Sequence, residues 1–225
     1  YVGLHEFEDM SFLLHYLDES YLFLDIGANV GCYSLLAASK GSSVIAFEPE
    51  FSSISVLNVN KHLNNFGEIK VVRAAVGDHV GTVNFSQQLD TVNHVLDASD
   101  KSGTQVELLN IDSLNLDDAK IAMKIDVEGY EMQVLDGAIS CLNKQVDVVI
   151  VETNNSNLNY GSTNSEIFKK LNDLGFQGYT YEPFFRALNA VGPCRVGNTI
   201  FIKDPIKVQE KLLKAPAFSL MSETI

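Results

Sequence analysis

A chain of 225 residues that is 46% hydrophobic can bury one sizeable core, and its formal net charge of −13 works against partners built on phosphate. Nucleic acid and anionic membrane surfaces are therefore not expected as partners, and no apolar run is long enough to span a bilayer. Cys32, Cys141 and Cys194 show neither C-x-x-C nor metal-ligand spacing, which fits a reducing, cytoplasmic setting better than a disulfide framework.

The first residue is Tyr1 and no signal-peptide pattern follows it, so the expectation is a segment of a longer polypeptide. Residues 1–203 are expected to form one domain, with 204–225 as a C-terminal helix and tail. Phe7, Met10, Leu13, Leu14 and Leu17 recur three and four residues apart, which predicts an amphipathic helix within residues 1–20, packed on a sheet edge. His5 and Glu6 precede it; they either reach a ligand's amino group or begin a solvated helix. The run Tyr21-Leu22-Phe23-Leu24 reads as a buried parallel strand, and Leu35-Leu36-Ala37-Ala38 as helix. Between them lies Asp25-Ile26-Gly27-Ala28-Asn29-Val30-Gly31. Its glycines permit positive φ and close ligand approach, and the free N–H groups of the following helix face the strand end. Such a turn cradles a nucleotide-like cofactor. The dinucleotide fingerprint needs glycine where Asn29 and Cys32 stand, which disfavours a nicotinamide cofactor and an oxidoreductase.

Val44-Ile45-Ala46-Phe47 is the second strand, and Glu48 at its end stands where an acid can bind ribose hydroxyls. Gly41 ends the preceding helix. Ser52 is expected to cap the next one, which runs through Leu57 and Leu63 to the Asn64-Asn65-Phe66-Gly67 turn. Ile69-Lys70-Val71-Val72 is the third strand and leads into Ala74-Ala75-Val76-Gly77-Asp78, small residues that suit either a flat ring or a tight turn.

Across residues 81–114 the helix–strand alternation lapses. Thr82-Val83-Asn84-Phe85 and Gln105-Val106-Glu107-Leu108-Leu109 alternate as exposed strands do, and the polar stretch between them is long enough for a lid or binding loop. Asn93 and His94 lie in it; His94 is a candidate proton acceptor, or simply a solvated histidine. Ile121-Ala122-Met123-Lys124-Ile125 is the fourth strand and ends in Asp126-Val127-Glu128-Gly129-Tyr130-Glu131. Leu135, Ile139 and Leu142 predict one crossover helix, and Val146–Val151 a fifth strand ending in Glu152-Thr153-Asn154-Asn155. Acids directly after apolar strands are costly without a partner, so Asp126 and Glu152 are the strongest site candidates. Glu131 reads as an acid favouring a helix start.

Thr163 and Glu166 form a capping box for a helix stopped by Gly175, and Phe176–Tyr181 and Asn198–Ile202 are the last two strands. Between those strands, Glu182-Pro183-Phe184-Phe185-Arg186 reads as an aromatic loop that either lines an acceptor site or packs into the core. A helix through Val208 and Leu212 and a mobile end containing Pro216 complete the chain.

The glycine turn, Phe47-Glu48-Pro49, Ala75-Val76-Gly77-Asp78, Asn110-Ile111-Asp112-Ser113-Leu114 and Lys124-Ile125-Asp126-Val127-Glu128-Gly129-Tyr130-Glu131 closely resemble the motif series of the FkbM family of S-adenosylmethionine (SAM) methyltransferases. The Asp-Val-Glu-Gly-x-Glu element is the specific part, since the turn alone matches any class I methyltransferase; Asn110-Ile111 departs from the threonine or valine then leucine more usual in the family. The resemblance implies an α/β fold with a doubly wound, mostly parallel seven-stranded sheet, its last strand antiparallel and helices on both faces. It also implies O-methylation of sugars or natural products. Carried over, Asp25, Gly27, Ala28, Asn29 and Gly31 would hold the methionine part, Glu48 with Pro49 the ribose, and Ala75 and Val76 the adenine. Asp126 would stand beside the transferring methyl as base, with Glu152, Glu128 and His94 as competitors. A divalent ion held by Asp126, Glu152 and Asn154 or Asn155 is the other way to activate a hydroxyl. The expected acceptor is a glycan or a deoxysugar such as rhamnose, with fusion to glycosyltransferase domains. A small natural product as acceptor, or a binding module without chemistry, are the competing readings.

Overall fold

The computed structural model describes residues 4–86, 94–96, 103–116, 118–221 and 223–225. Five parallel strands form the centre of its main sheet: β1 (Tyr21–Ile26), β2 (Ser43–Phe47), β3 (Lys70–Val72), β7 (Lys120–Ile125) and β8 (Val146–Thr153). Beyond β8 lie β11 (Gly197–Ile202), antiparallel to both its neighbours, then β9 (Gln177–Glu182) and β10 (Ala187–Ala190), so the order is β10-β9-β11-β8-β7-β1-β2-β3. Eight strands stand where seven were expected. The additional one is β10, which pairs with β9 as a hairpin through Ala187↔Glu182 to Ala190↔Tyr179. Its four residues, Ala-Leu-Asn-Ala, have little β-propensity, and only the ladder with β9 makes them a strand.

Alternate strand residues face opposite sides, so Phe23 and Ile150 enter one apolar cluster while their neighbours Leu24, Val149 and Val151 enter the other. The first cluster is covered by α1 (Phe7–Tyr16), α2 (Cys32–Ser39), α3 (Phe51–Leu63) and α7 (Pro205–Lys214). The second is covered by α4 (Glu131–Asp136), α5 (Ile139–Lys144) and α6 (Asn164–Asp173). The Thr163/Glu166 capping box of α6 forms as predicted. At α3 the cap is Glu50, which accepts from Ser53 N at 2.8 Å; Ser52 instead donates its hydroxyl to the same carboxylate.

The predicted single crossover helix is two, broken at Gly137. A Cβ there would lie 1.9 Å from the Gly77 carbonyl oxygen, so the chain turns where two backbones touch. Asp112 secures the break by accepting from Ser140 N and Cys141 N, both at 2.8 Å. The residues after α7 fold back rather than hanging free: β12 (Ser219–Leu220) pairs with β13 (Glu223–Thr224), and Phe218 and Ile225 exchange backbone hydrogen bonds.

The 81–114 insertion supplies a second sheet. β4 (Ala75–Val76), β6 (Thr104–Leu109) and β5 (Gly81–Phe85) lie in that order, and Val95 bridges to Phe85. Ala75, Phe85, Val95, Val106 and Leu108 form its own small core, against which Tyr130 and Tyr160 pack.

Candidate active site

Strands β1, β2 and β7 end side by side, and their main chains are tied together there. Gly27 N and Ala28 N both donate to Phe47 O at 3.0 Å, Asp126 N donates to Ile26 O at 3.0 Å, and Glu48 N to Val72 O at 3.1 Å. Gly27 has φ 81°, and a Cβ on it would stand 1.8 Å from the Asp126 carbonyl oxygen; only glycine lets the turn pass so close to β7. Asn29 also takes positive φ, 49°, and its N–H donates to Glu48 Oε2 at 2.8 Å while Glu50 N donates to Glu48 Oε1 at 2.8 Å. Burial lifts the Glu48 carboxyl to about 7 despite those two bonds.

A cleft of about 250 Å³ opens above these strand ends. Gly27, Asn29, Glu48 and Pro49 line its floor, Asp126, Glu128 and Glu152 one side, and Ala75, Val76, Phe85, Val95 and Tyr130 its apolar side, with His5 also in its wall. The insertion thus roofs the cleft. Tyr130 and Tyr160 meet edge to face at 5.3 Å, and the Tyr160 hydroxyl donates to Val95 O.

Not every predicted residue reaches it. Asp25, Ala28 and Gly31 do not line the cleft. Asp25 is still within β1, fully buried, and accepts from Ser34 Oγ at 2.6 Å. Gly31, φ 88°, begins α2 and leaves room for Leu57, whose Cγ would be 2.8 Å from a Cβ. His94 pairs its backbone with Ser86 and lies near enough to Glu128 for its charge to oppose that group's upward shift. Asn93 and the Asn155 side chain lie outside the described residues.

The carboxylates are not equivalent. Lys124, side chain 3% exposed, places Nζ 2.6 Å from Asp126 Oδ2 and 4.6 Å above the Tyr33 ring, whose hydroxyl donates to Glu6. Burial would raise Asp126, but the Lys124 charge and hydrogen bond outweigh it and hold Asp126 below the usual carboxylate value. Glu152 hydrogen-bonds to Asp126, and burial followed by the repulsion of Asp126 pushes it up to about 8. Lys124 thus favours the ionised form of Asp126, and the Asp126 charge favours the protonated form of Glu152. Asn154 supports it, donating Nδ2 to Glu152 Oε2 at 2.9 Å, but its Oδ1 is taken by Ser156 N at 2.9 Å and by the Ser156 hydroxyl. That amide oxygen is therefore committed to capping the 3-10 turn Asn155–Tyr160, and the expected ligand set changes. One carboxylate oxygen each from Asp126, Glu128 and Glu152 lie within 4.8 Å of one another.

Sequence reasoning missed Lys124 and misread Glu131. Lys124 was visible as a lysine two residues before Asp126, on the same strand face, inside an apolar run. Glu131 is buried and does more than favour a helix dipole. Its Oε1 accepts from Gly129 N at 3.0 Å and Val127 N at 3.4 Å, clasping a loop in which Glu128 and Gly129 hold φ 55° and 108°. Burial raises it to about 7.

The order β3-β2-β1-β7-β8-β11-β9, with β11 antiparallel and the cleft beyond the carboxyl ends of the parallel strands, is that of the Rossmann-like class I methyltransferases. Residues 25–177 match the family model described as the methyltransferase FkbM domain, and the chain belongs to that family. It is 26% identical over 144 residues to the hexuronic acid methyltransferase AglP of Haloferax volcanii, covering 62% of this chain and 59% of the relative. Its fold is similar to the crystal structure of methyltransferase FkbM from Methylobacillus flagellatus KT, with a TM-score of 0.53, 17% identity and coverage of 83% of this chain and 44% of the other. The chain thus spans about three fifths of that curated relative and under half of that crystallised chain. No helix among the described residues is long and apolar enough to cross a membrane.

Proposed function

We propose that this chain is a SAM-dependent O-methyltransferase acting on a sugar hydroxyl of a glycan. The observation that carries the reading is that one cleft joins the glycine turn and Glu48 to the strand-end carboxylates Asp126 and Glu152, with the buried Lys124 Nζ 2.6 Å from Asp126 Oδ2. FkbM membership supports the reaction class, and the hexuronic acid methyltransferase among the relatives supports a sugar acceptor.

The residues suit the cofactor. Gly27 presents a backbone without a side chain, each oxygen of the ionised Glu48 retains a lone pair for a ribose hydroxyl after accepting one N–H, and Ala75 with Val76 offers a small apolar seat for adenine. When bound, SAM supplies an electrophilic methyl group. Asp126 accepts the acceptor's hydroxyl proton, because Lys124 keeps it ionised and fixed. Glu152 donates its own proton in a hydrogen bond to Asp126 and orients that carboxylate, which becomes neutral as it takes the hydroxyl proton, while Tyr130, Phe85 and Val95 exclude water from the apolar side.

A second reading rests on the three converging oxygens of Asp126, Glu128 and Glu152, which can hold a divalent ion that binds the acceptor hydroxyl directly. Such an ion must displace the Glu152 proton, so its binding weakens below about pH 8.

The test is transfer of labelled methyl from SAM to uronic-acid oligosaccharides, rhamnosides and small phenols, with magnesium and again with chelator. Label in a sugar that survives chelation supports the carboxylate base; label lost with chelator supports the ion. Binding of SAM with no label in any acceptor sinks the proposal in favour of a binding module.

A further inference from the structure

The β9–β10 hairpin presents two phenylalanines to solvent on a fixed support. Phe184 is 52% and Phe185 78% exposed. The tip that carries them is nonetheless anchored from behind. Arg186, at φ 52°, sends its guanidinium to Ala215 O and Ile225 O, and Gln209 spans the hairpin by donating to Arg186 O at 2.7 Å and accepting from Leu188 N at 3.0 Å. A hairpin held this firmly has no need of exposed rings for its own stability, and contiguous exposed apolar surface marks a contact with something else.

Its position identifies that contact. Ile200 of β11 pairs with Ile150 on one side and Tyr179 on the other, so Thr153 and Glu182 stand level, three residues further toward the carboxyl edge. The hairpin tip therefore projects from the same sheet edge as Glu152, displaced by two strand spacings, roughly 10 Å. Phe184 also packs on Phe7, with ring centroids 5.6 Å apart, and Phe7 lies two residues from His5 in the cleft wall. Phe7 thus connects the hairpin tip to the segment that enters the cleft wall at His5, and the two-strand offset from Glu152 is on the order of a sugar ring or two.

We infer that Phe184 and Phe185 form a stacking platform for a second sugar ring of the acceptor, so that the substrate is an oligosaccharide and not a free monosaccharide. This rests on the sugar-methylating reading given above. The axial C–H face of a pyranose carries partial positive charge and packs on the negative face of an aromatic ring, and rings already held in place lose little entropy on binding. The ring to be methylated occupies the space beside Asp126, and its neighbour in the glycan lies on the hairpin.

The experiment compares the methyl glycoside of glucuronic acid with a trisaccharide ending in glucuronic acid, using the wild-type chain, Phe185→Ala, Phe185→Trp and the double variant Phe184→Ala/Phe185→Ala. The wild type is expected to show a KM about tenfold lower for the trisaccharide, as one to two aromatic contacts supply. Phe185→Ala and the double variant should erase that preference with kcat and S-adenosylhomocysteine affinity unchanged, and Phe185→Trp should keep it. A preference that survives the double variant overturns the inference. So does loss of a dimer by the double variant with KM unchanged, which would assign the rings to a second copy of the chain. A wild type that binds S-adenosylhomocysteine yet methylates neither sugar overturns the preceding reading, and this one with it.

Discussion

The floor and the roof of the cleft are built by different means. The floor, where β1, β2 and β7 end, is main chain held by main chain: Gly27 and Asn29 sit at positive φ, and the carboxylates of Glu48 and Glu131 fasten the two loops beside them. The roof is a three-stranded sheet brought over the cleft by side-chain packing, chiefly the Tyr130–Tyr160 contact and the Tyr160–Val95 hydrogen bond. A backbone-built floor tolerates almost no change, whereas a side-chain-built roof can repack. On the proposed reading the two parts meet at the cofactor, since the floor offers Gly27 and Glu48 and the roof sheet offers Ala75 and Val76.

Glycine substitutions break that comparison most sharply. Gly27→Ala drives a Cβ into the Asp126 carbonyl at positive φ, a strain of about 1–3 kcal/mol, so S-adenosylhomocysteine affinity should fall by tenfold or more and Tm should drop. Gly77→Ala meets mainly Tyr130 Cε1 at 2.8 Å, a side chain able to shift, and calorimetric titration should show a smaller loss. Equal losses would mean the roof is as rigid as the floor.

Protonation provides the next effect. Asp9, Glu48 and Glu131 have folded pKa values raised by burial to about 6, 7 and 7, and Glu152 adds to the same trend at about 8. The folded state therefore holds more protons than the unfolded one above the ordinary carboxylate range near 4, and stability falls as pH rises from there toward 8. Thermal melts of the ligand-free chain should show Tm declining from pH 5 to pH 8; a Tm that rises over that window would show these carboxyls to be better paired than the structure indicates. The smallest effect is expected from Tyr160→Phe, which removes one hydrogen bond from the roof, about 1 kcal/mol, and should lower Tm slightly while leaving the floor unchanged.

How far the molecule was legible follows the same division. Gly27, Glu48 and Asp126 were readable because each stands directly after a short apolar strand, where period and punctuation leave one assignment. The Thr163/Glu166 box was readable because its chemistry is local. β10 was not, since Ala187–Ala190 becomes a strand only by pairing with β9, nor was the break at Gly137, which exists because the distant Gly77 carbonyl lies against it. Asp25 shows the converse: a motif acid that faces Ser34 behind the cleft and leaves the wall to its neighbours. The different settings of Asp126 and Glu152 depend on Lys124, whose meaning appears only when its side chain is seen buried against Tyr33 of α2 with its ammonium on Asp126.

The most direct test of the account is Asp126→Asn, assayed for both methyl transfer and S-adenosylhomocysteine binding. If Asp126 is the ionised group that receives the hydroxyl proton, transfer falls by about 10²–10⁴-fold while cofactor affinity holds. Transfer at the wild-type rate, or a parallel loss of cofactor binding, would contradict that role.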